Sequence, residues 1–191
     1  MISLERITLG YGGAAPVRDL TVTLPQRGVV AVTGASGSGK TTLLKLLAGL
    51  LAPLSGTVRG LEGLRVSAVF QEDRLAPWLT AKENVALVND LGDPEKWLVA
   101  LELGDKRNEY PAALSGGMQR RVALARALHY GGDVLLLDEP FKGLDEELTR
   151  RIAPLIGEAF PLVVIAVHHQ KEVPPLGKGP VMEIHIPAQA L

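Results

Sequence analysis

Apolar and polar positions alternate along the first two dozen residues. Ile2, Leu4, Ile7 and Leu9 predict one strand, and Leu20, Val22 and Leu24 a second, with Tyr11-Gly12-Gly13 turning between them. Residues 28–33 form a short continuous apolar run, the pattern of a strand covered on both faces. A glycine-rich turn follows, then a Leu-rich helix over 41–50 and a further strand over 66–70. From about residue 72 the pattern changes. Asp93-Pro94 is a helix start with proline at the first helical position, Gly104 is a stop, and Leu98, Leu101 and Trp97 supply a buried stripe. Residues 72–116 therefore read as a small, mostly helical insert.

A helix over 117–130 comes next, then an apolar strand over 134–137. Asp145 is placed to cap a helix running toward Phe160, and Pro154 is expected to kink or shorten it. Residues 162–167 predict a last buried strand and 181–186 an edge strand. Strands alternating with helices around buried runs predict an α/β fold with a mainly parallel sheet, preceded by an N-terminal antiparallel β subdomain. No repeat or low-complexity linker divides the chain, so 1–191 reads as one domain. Sheets of this kind bind ligands beyond the carboxyl ends of their strands.

Bulk properties narrow the function. The formal net charge of the 191 residues is −1, which gives no whole-molecule field for nucleic acid. With no cysteine, disulfides, thiol catalysis and cysteine metal sites are excluded. No run reaches the roughly 18 apolar residues of a membrane span. The best, over 43–54, is broken by Lys45 and ends at Pro53. The first residues alternate like a strand and lack the basic start and apolar block of a signal peptide. Direct membrane insertion is not expected, so a membrane role requires a partner.

The chemistry sits at the predicted strand ends. Gly34-Ala35-Ser36-Gly37-Ser38-Gly39-Lys40-Thr41 fits G-x-x-x-x-G-K-[ST] between a strand and a helix. Glycines let the backbone wrap a triphosphate and aim N–H groups inward, and the helix adds its positive end. Lys40 is expected to reach the β- and γ-phosphates of ATP, the Thr41 hydroxyl to bind Mg²⁺, and Thr42 to add a bond. This makes the core that of a P-loop NTPase. The strand over 134–137 ends in Asp138-Glu139. Asp138 is expected to hold Mg²⁺, and Glu139 to orient or deprotonate the water that attacks the γ-phosphate. Burial and the adjacent charge are expected to raise the Glu139 pKa.

Leu114-Ser115-Gly116-Gly117-Met118-Gln119 precedes an arginine-rich helix. Ser115 with the Gly116 and Gly117 amides at a helix N-terminus reads as a second anion site. The string also resembles the LSGGQ-like signature of ABC-family ATPases, departing from it at Met118-Gln119. The resemblance covers nearly the whole chain, with the motifs in order. It implies a RecA-like core, and it makes Gln71 the glutamine that contacts Mg²⁺ and the attacking water. Tyr11 becomes the residue stacked on adenine, Asp145 part of the loop after the acidic pair, and His168 the histidine that touches the γ-phosphate. His169 follows immediately, but register favours His168. Lys142-Gly143 stands where the family usually has Ser-Ala.

The resemblance further implies a homodimer with ATP at the interface, each signature completing the other protomer's phosphate site. It implies a transmembrane permease as partner and a position on the cytoplasmic face of the membrane, with hydrolysis opening the dimer to power transport. Residues 71–80 are similar to the same region of importers for small anions such as sulfonates and nitrate. The alternatives are a non-transport ABC ATPase acting as a soluble mechanical switch, and a small-molecule kinase, for which the signature has no use.

Overall fold

The opening alternation folds as two long antiparallel strands, β1 (Ile2–Tyr11) and β2 (Ala14–Leu24). The computed structural model describes residues 1–187 apart from 13, 90 and 178. Gly13, assigned to the turn from sequence, lies outside the described residues. The buried positions of β1 include Ile2, Leu4, Ile7 and Leu9, the set the alternation marks.

The first run buried on both sides is β3 (Gly28–Thr33), and α1 (Lys40–Leu47) follows it across the glycine loop. A strand not read from the sequence, β4 (Ser55–Arg59), pairs antiparallel with the free side of β1 and completes a three-stranded sheet in the order β2-β1-β4. The central sheet is joined by β5 (Val66–Val69). The insert contains two short helices, α2 (Ala81–Ala86) and α3 (Pro94–Ala100), and two 3-10 turns at Gly104–Lys106 and Pro111–Ala113. Asp93 accepts a hydrogen bond from the Glu95 N–H and Pro94 occupies the first turn of α3, as the Asp-Pro pair predicts.

The remaining elements are α4 (Gly116–Tyr130), β6 (Val134–Asp138), α5 (Glu146–Ala159), β7 (Leu162–Ala166) and β8 (Val181–His185). The five-stranded sheet runs β5-β6-β7-β3-β8 with every pairing parallel, and β8 is an edge strand as expected. Pro154 neither stops nor shortens α5, which continues through it to Ala159. Its missing N–H removes one helical hydrogen bond. The buried side chains of Ile152, Ala153 and Ile156 hold the turn around it against the core.

β6 and β7 are unbroken apolar runs because both of their faces are covered. Leu135, Leu137, Val163 and Ile165 point into one hydrophobic cluster with α4, α5 and the insert. Leu136, Val164 and Ala166 point into a second with α1, β1 and β2. Side chains on both faces are buried, so period 2 leaves no polar trace. The sheet is thereby fixed between two layers, and the carboxyl ends of β3, β6 and β7 are left as its working edge.

Candidate functional site

The loop from β3 into α1 is shaped by its glycines. Gly34 lies at φ 146, and a side chain there would begin 2.3 Å from the Ile186 carbonyl oxygen. Gly39 caps α1 in the left-handed region at φ 108. The loop closes on itself through the Ser38 N–H to Ala35 carbonyl bond of 3.2 Å, and the Ser38 hydroxyl is buried without a partner. Lys40 is buried, and its ammonium donates to the carbonyls of Gly34 (2.7 Å) and Ala35 (3.0 Å). A buried cation therefore stands beside the unpaired N–H groups of a helix start.

Asp138 ends β6 fully buried. One carboxylate oxygen, Oδ2, accepts from the Thr41 hydroxyl at 2.6 Å, while Oδ1 is buried with no partner. Burial pushes its pKa up and the Glu139 charge adds to this. The Thr41 hydrogen bond and the Lys40 and Arg120 charges work against it. An orphaned buried carboxylate oxygen beside a hydroxyl fits a hard, oxygen-seeking cation such as Mg²⁺. Among the described residues no group of three or more His, Cys, Asp or Glu forms an all-protein cage.

Glu139 departs from expectation. Its pKa is lowered, not raised. Burial does act upward, but the hydrogen bond and charge of Lys142, with the charges of His168 and Lys40, outweigh it. Its Oε2 accepts from Lys142 Nζ at 3.0 Å and its Oε1 lies 3.1 Å from His168 Nε2. The backbone of Glu139 is at φ 47 and its N–H donates to the Ala166 carbonyl at 3.1 Å. A non-glycine residue in that region costs about 1–2 kcal/mol and is retained where the surroundings over-determine it. Of the two histidines, His168 reaches Glu139, whereas His169 is exposed.

A cavity of about 390 Å³ gathers Ser36, Gly37, Gly39, Lys40, Thr41, Thr42, Gln71, Glu139 and Lys142. Gly34, Ala35 and His168 line a neighbouring one of about 320 Å³. Ser115, Gly116 and Gly117 do not line the first cavity. Ser115 caps α4 by accepting from the Met118 N–H at 3.3 Å, and Gly117 lies against Leu144. Asp145 caps α5 through the Leu148 N–H at 2.7 Å. Tyr11 is 52% exposed at the end of β1, with the Lys45 ammonium 5.7 Å from its ring centre.

The arginines after the signature are not a free basic face. Arg120 is buried, donates to the Phe70 and Gln71 carbonyls and pairs with Asp73 at 3.0 Å. Arg126 donates to the Asp73 and Arg74 carbonyls, and Arg121 to those of Leu101 and Glu102. Arg120 thus holds the Gln71 loop in place. Sequence reasoning missed this because only the packing of α4 beside β5 brings the two together.

A phosphate cradle, a buried carboxylate with a free oxygen and a second carboxylate beside a histidine make a site for nucleotide hydrolysis. A family model described as ABC transporter matches residues 17–142. The chain is similar to the Aliphatic sulfonates import ATP-binding protein SsuB 2 of Pseudomonas syringae pv. tomato, at 37% identity over 83% of this chain and 71% of that one. It is similar to SsuB 1 of Rhizobium johnstonii at 38% identity over 97% of this chain and 77% of that one. Among solved structures, the dimeric ATP-binding cassette MJ0796 in a post-hydrolysis state with ADP and Pi matches with a TM-score of 0.82 and 26% identity. That match covers 100% of this chain and 97% of the other. The motif order, the fold and these likenesses agree, and the chain belongs to the ABC transporter family as a subunit that binds and hydrolyses ATP to power transport.

Proposed function

We propose that the chain is the ATPase subunit of an importer for small organic anions, aliphatic sulfonates first among them, and that it works as a homodimer against a transmembrane permease on the cytoplasmic face of the membrane. No helix among the described residues is long and apolar enough to cross a membrane. The cargo reading is supported by the names of the relatives and by the likeness of residues 71–80 to that importer group. On this reading 1–191 is one ATPase domain, with 72–116 as its helical insert.

The observation that supports the site most is the convergence of Lys40, Thr41, Gln71, Asp138 and Glu139 at the carboxyl edge of the parallel sheet. Lys40 and the amides over 34–42 bind the phosphates of ATP. Asp138 and Thr41, with Gln71, hold Mg²⁺, which neutralises charge on the β- and γ-phosphates when bound. Glu139 accepts the proton of a water whose oxygen bonds to the γ-phosphorus as the β–γ bridging bond breaks, giving ADP and phosphate. His168 orients Glu139 and faces the γ-phosphate. Tyr11 stacks on the adenine. Ser115, Gly116, Gly117 and Asp145 lie outside the chain's own cavity, consistent with their serving the partner protomer's ATP.

Glu139→Gln tests the reading. It is expected to bind Mg-ATP with near-parent affinity, to hydrolyse it at least about a hundredfold more slowly, and to accumulate as an ATP-bound dimer on size exclusion. Parent-like turnover would remove Glu139 from the role of base. For the cargo, deleting the gene is expected to abolish growth with an alkanesulfonate as sole sulfur source and leave growth on sulfate intact.

A further inference from the structure

The residue that most shapes the surroundings of Glu139 is one the family pattern does not supply. Lys142 stands where the resemblance leads one to expect serine, yet its ammonium lies 3.0 Å from Glu139 Oε2. His168 Nε2 lies 3.1 Å from Oε1. Each carboxylate oxygen therefore has a separate neighbour and keeps a lone pair for a further donor. The arrangement is built into the chain, since the Lys142 N–H donates to the Glu139 carbonyl at 3.2 Å and so turns the backbone back. Pro140 stiffens that turn, and Phe141 packs on the hydrophobic core. Lys142 also lines the cavity that Lys40 and Thr41 line.

We infer that Lys142 is a positioning residue for hydrolysis, holding the Glu139 carboxylate from the side opposite His168 so that its remaining lone pairs face the water that attacks ATP. This rests on Glu139 being the base. A carboxylate fixed at one oxygen only can rotate about its last bond, and such misplacement of a reacting group is expensive in rate. The Lys142 side chain is 75% exposed against 11% for Glu139. The pair therefore adds little to stability, and its effect belongs to geometry.

The test is single-turnover and steady-state Mg-ATP hydrolysis by the full chain, with Lys142→Met and Lys142→Arg made in both the parent and the Glu139→Gln background. Lys142→Met is expected to lower kcat about tenfold, to leave KM within about twofold, and to melt within about 2 °C of the parent. Lys142→Arg restores most of the rate. With Glu139 already replaced, Lys142→Met causes no further loss, because it acts through that carboxylate. Unchanged or faster turnover in Lys142→Met overturns the inference. So does a raised KM at constant kcat, which would make Lys142 a phosphate contact, or a full tenfold loss repeated in the Glu139→Gln background. If Glu139→Gln itself hydrolyses at the parent rate, the underlying assignment of the base has failed instead.

Discussion

At the scale of single residues, the site depends on which buried charges are matched. Asp138 has one oxygen bonded to Thr41 and one free, so the cation it is proposed to hold also relieves an unsatisfied buried acceptor. Asp138→Asn is expected to keep nucleotide affinity in the absence of metal but lose most of the gain that Mg²⁺ confers, measured by titrating a fluorescent ATP analogue with and without Mg²⁺. An equal Mg²⁺ effect in both proteins would contradict the metal assignment. His168→Ala is expected to cost at least about tenfold in turnover and His169→Ala less than about twofold; the reverse order would transfer the role to His169. The motif residues were legible because each depends on local order: a glycine loop between strand and helix, and two acids at the end of an apolar strand. The sign of the Glu139 shift was not. Burial raises that pKa, and it is lowered by Lys142, three residues on, together with the charges of His168 and Lys40; the Lys142 amine returns over the carboxylate where the backbone turns.

At the scale of elements, legibility follows burial. β3, β6 and β7 were read almost to the residue because two apolar layers demand unbroken apolar strands. β4 was not read, since its positions are mostly exposed and its state is fixed by pairing with β1. Pro154 was given too much weight because tertiary packing holds α5 together on both sides of it. Short α2 is held by buried Ala81, Asn84 and Val85 and by its capped first turn. Thr80 accepts from the Glu83 N–H at 3.3 Å, and Glu83 accepts from the Thr80 N–H at 2.8 Å, a reciprocal cap. The backbone bond from Thr80, followed by the one from its hydroxyl, lowers the Glu83 pKa in the folded state. A lowered carboxyl contributes stability above its unfolded pKa and loses it as pH falls through the folded one. Glu83→Gln is therefore expected to melt below the parent at pH 7, with the gap closing below about pH 4. A gap independent of pH would deny the cap its ionic part. Arg120 ties elements rather than residues. Arg120→Ala leaves two carbonyls and Asp73 without their guanidinium, so it is expected to cost about 3 kcal/mol and to loosen the Gln71 loop, read as faster amide exchange over 70–74.

At the scale of the whole molecule, the proposed homodimer asks one chain to carry both halves of a shared site on different surfaces. Its own cavity is lined by much of the glycine loop together with Gln71 and Glu139, while Ser115 at the head of α4 is elsewhere. In the proposed two-fold pair one protomer's signature would cover the other's phosphates with ATP as the bridge, so that hydrolysis would be the event that separates them. None of that pairing was written in the periodicity of the sequence; it entered through the resemblance, because a surface complementary to itself leaves no local pattern. Every part of the scheme requires that the loop over 34–41 bind a nucleotide. Titration calorimetry of the full chain with ATP and Mg²⁺, beside Lys40→Ala, tests this most directly. The prediction is saturable binding by the parent with one ATP per chain, weakened at least about tenfold by loss of the charge-assisted bonds of Lys40. No binding by the parent, or identical affinity in the two proteins, would contradict it.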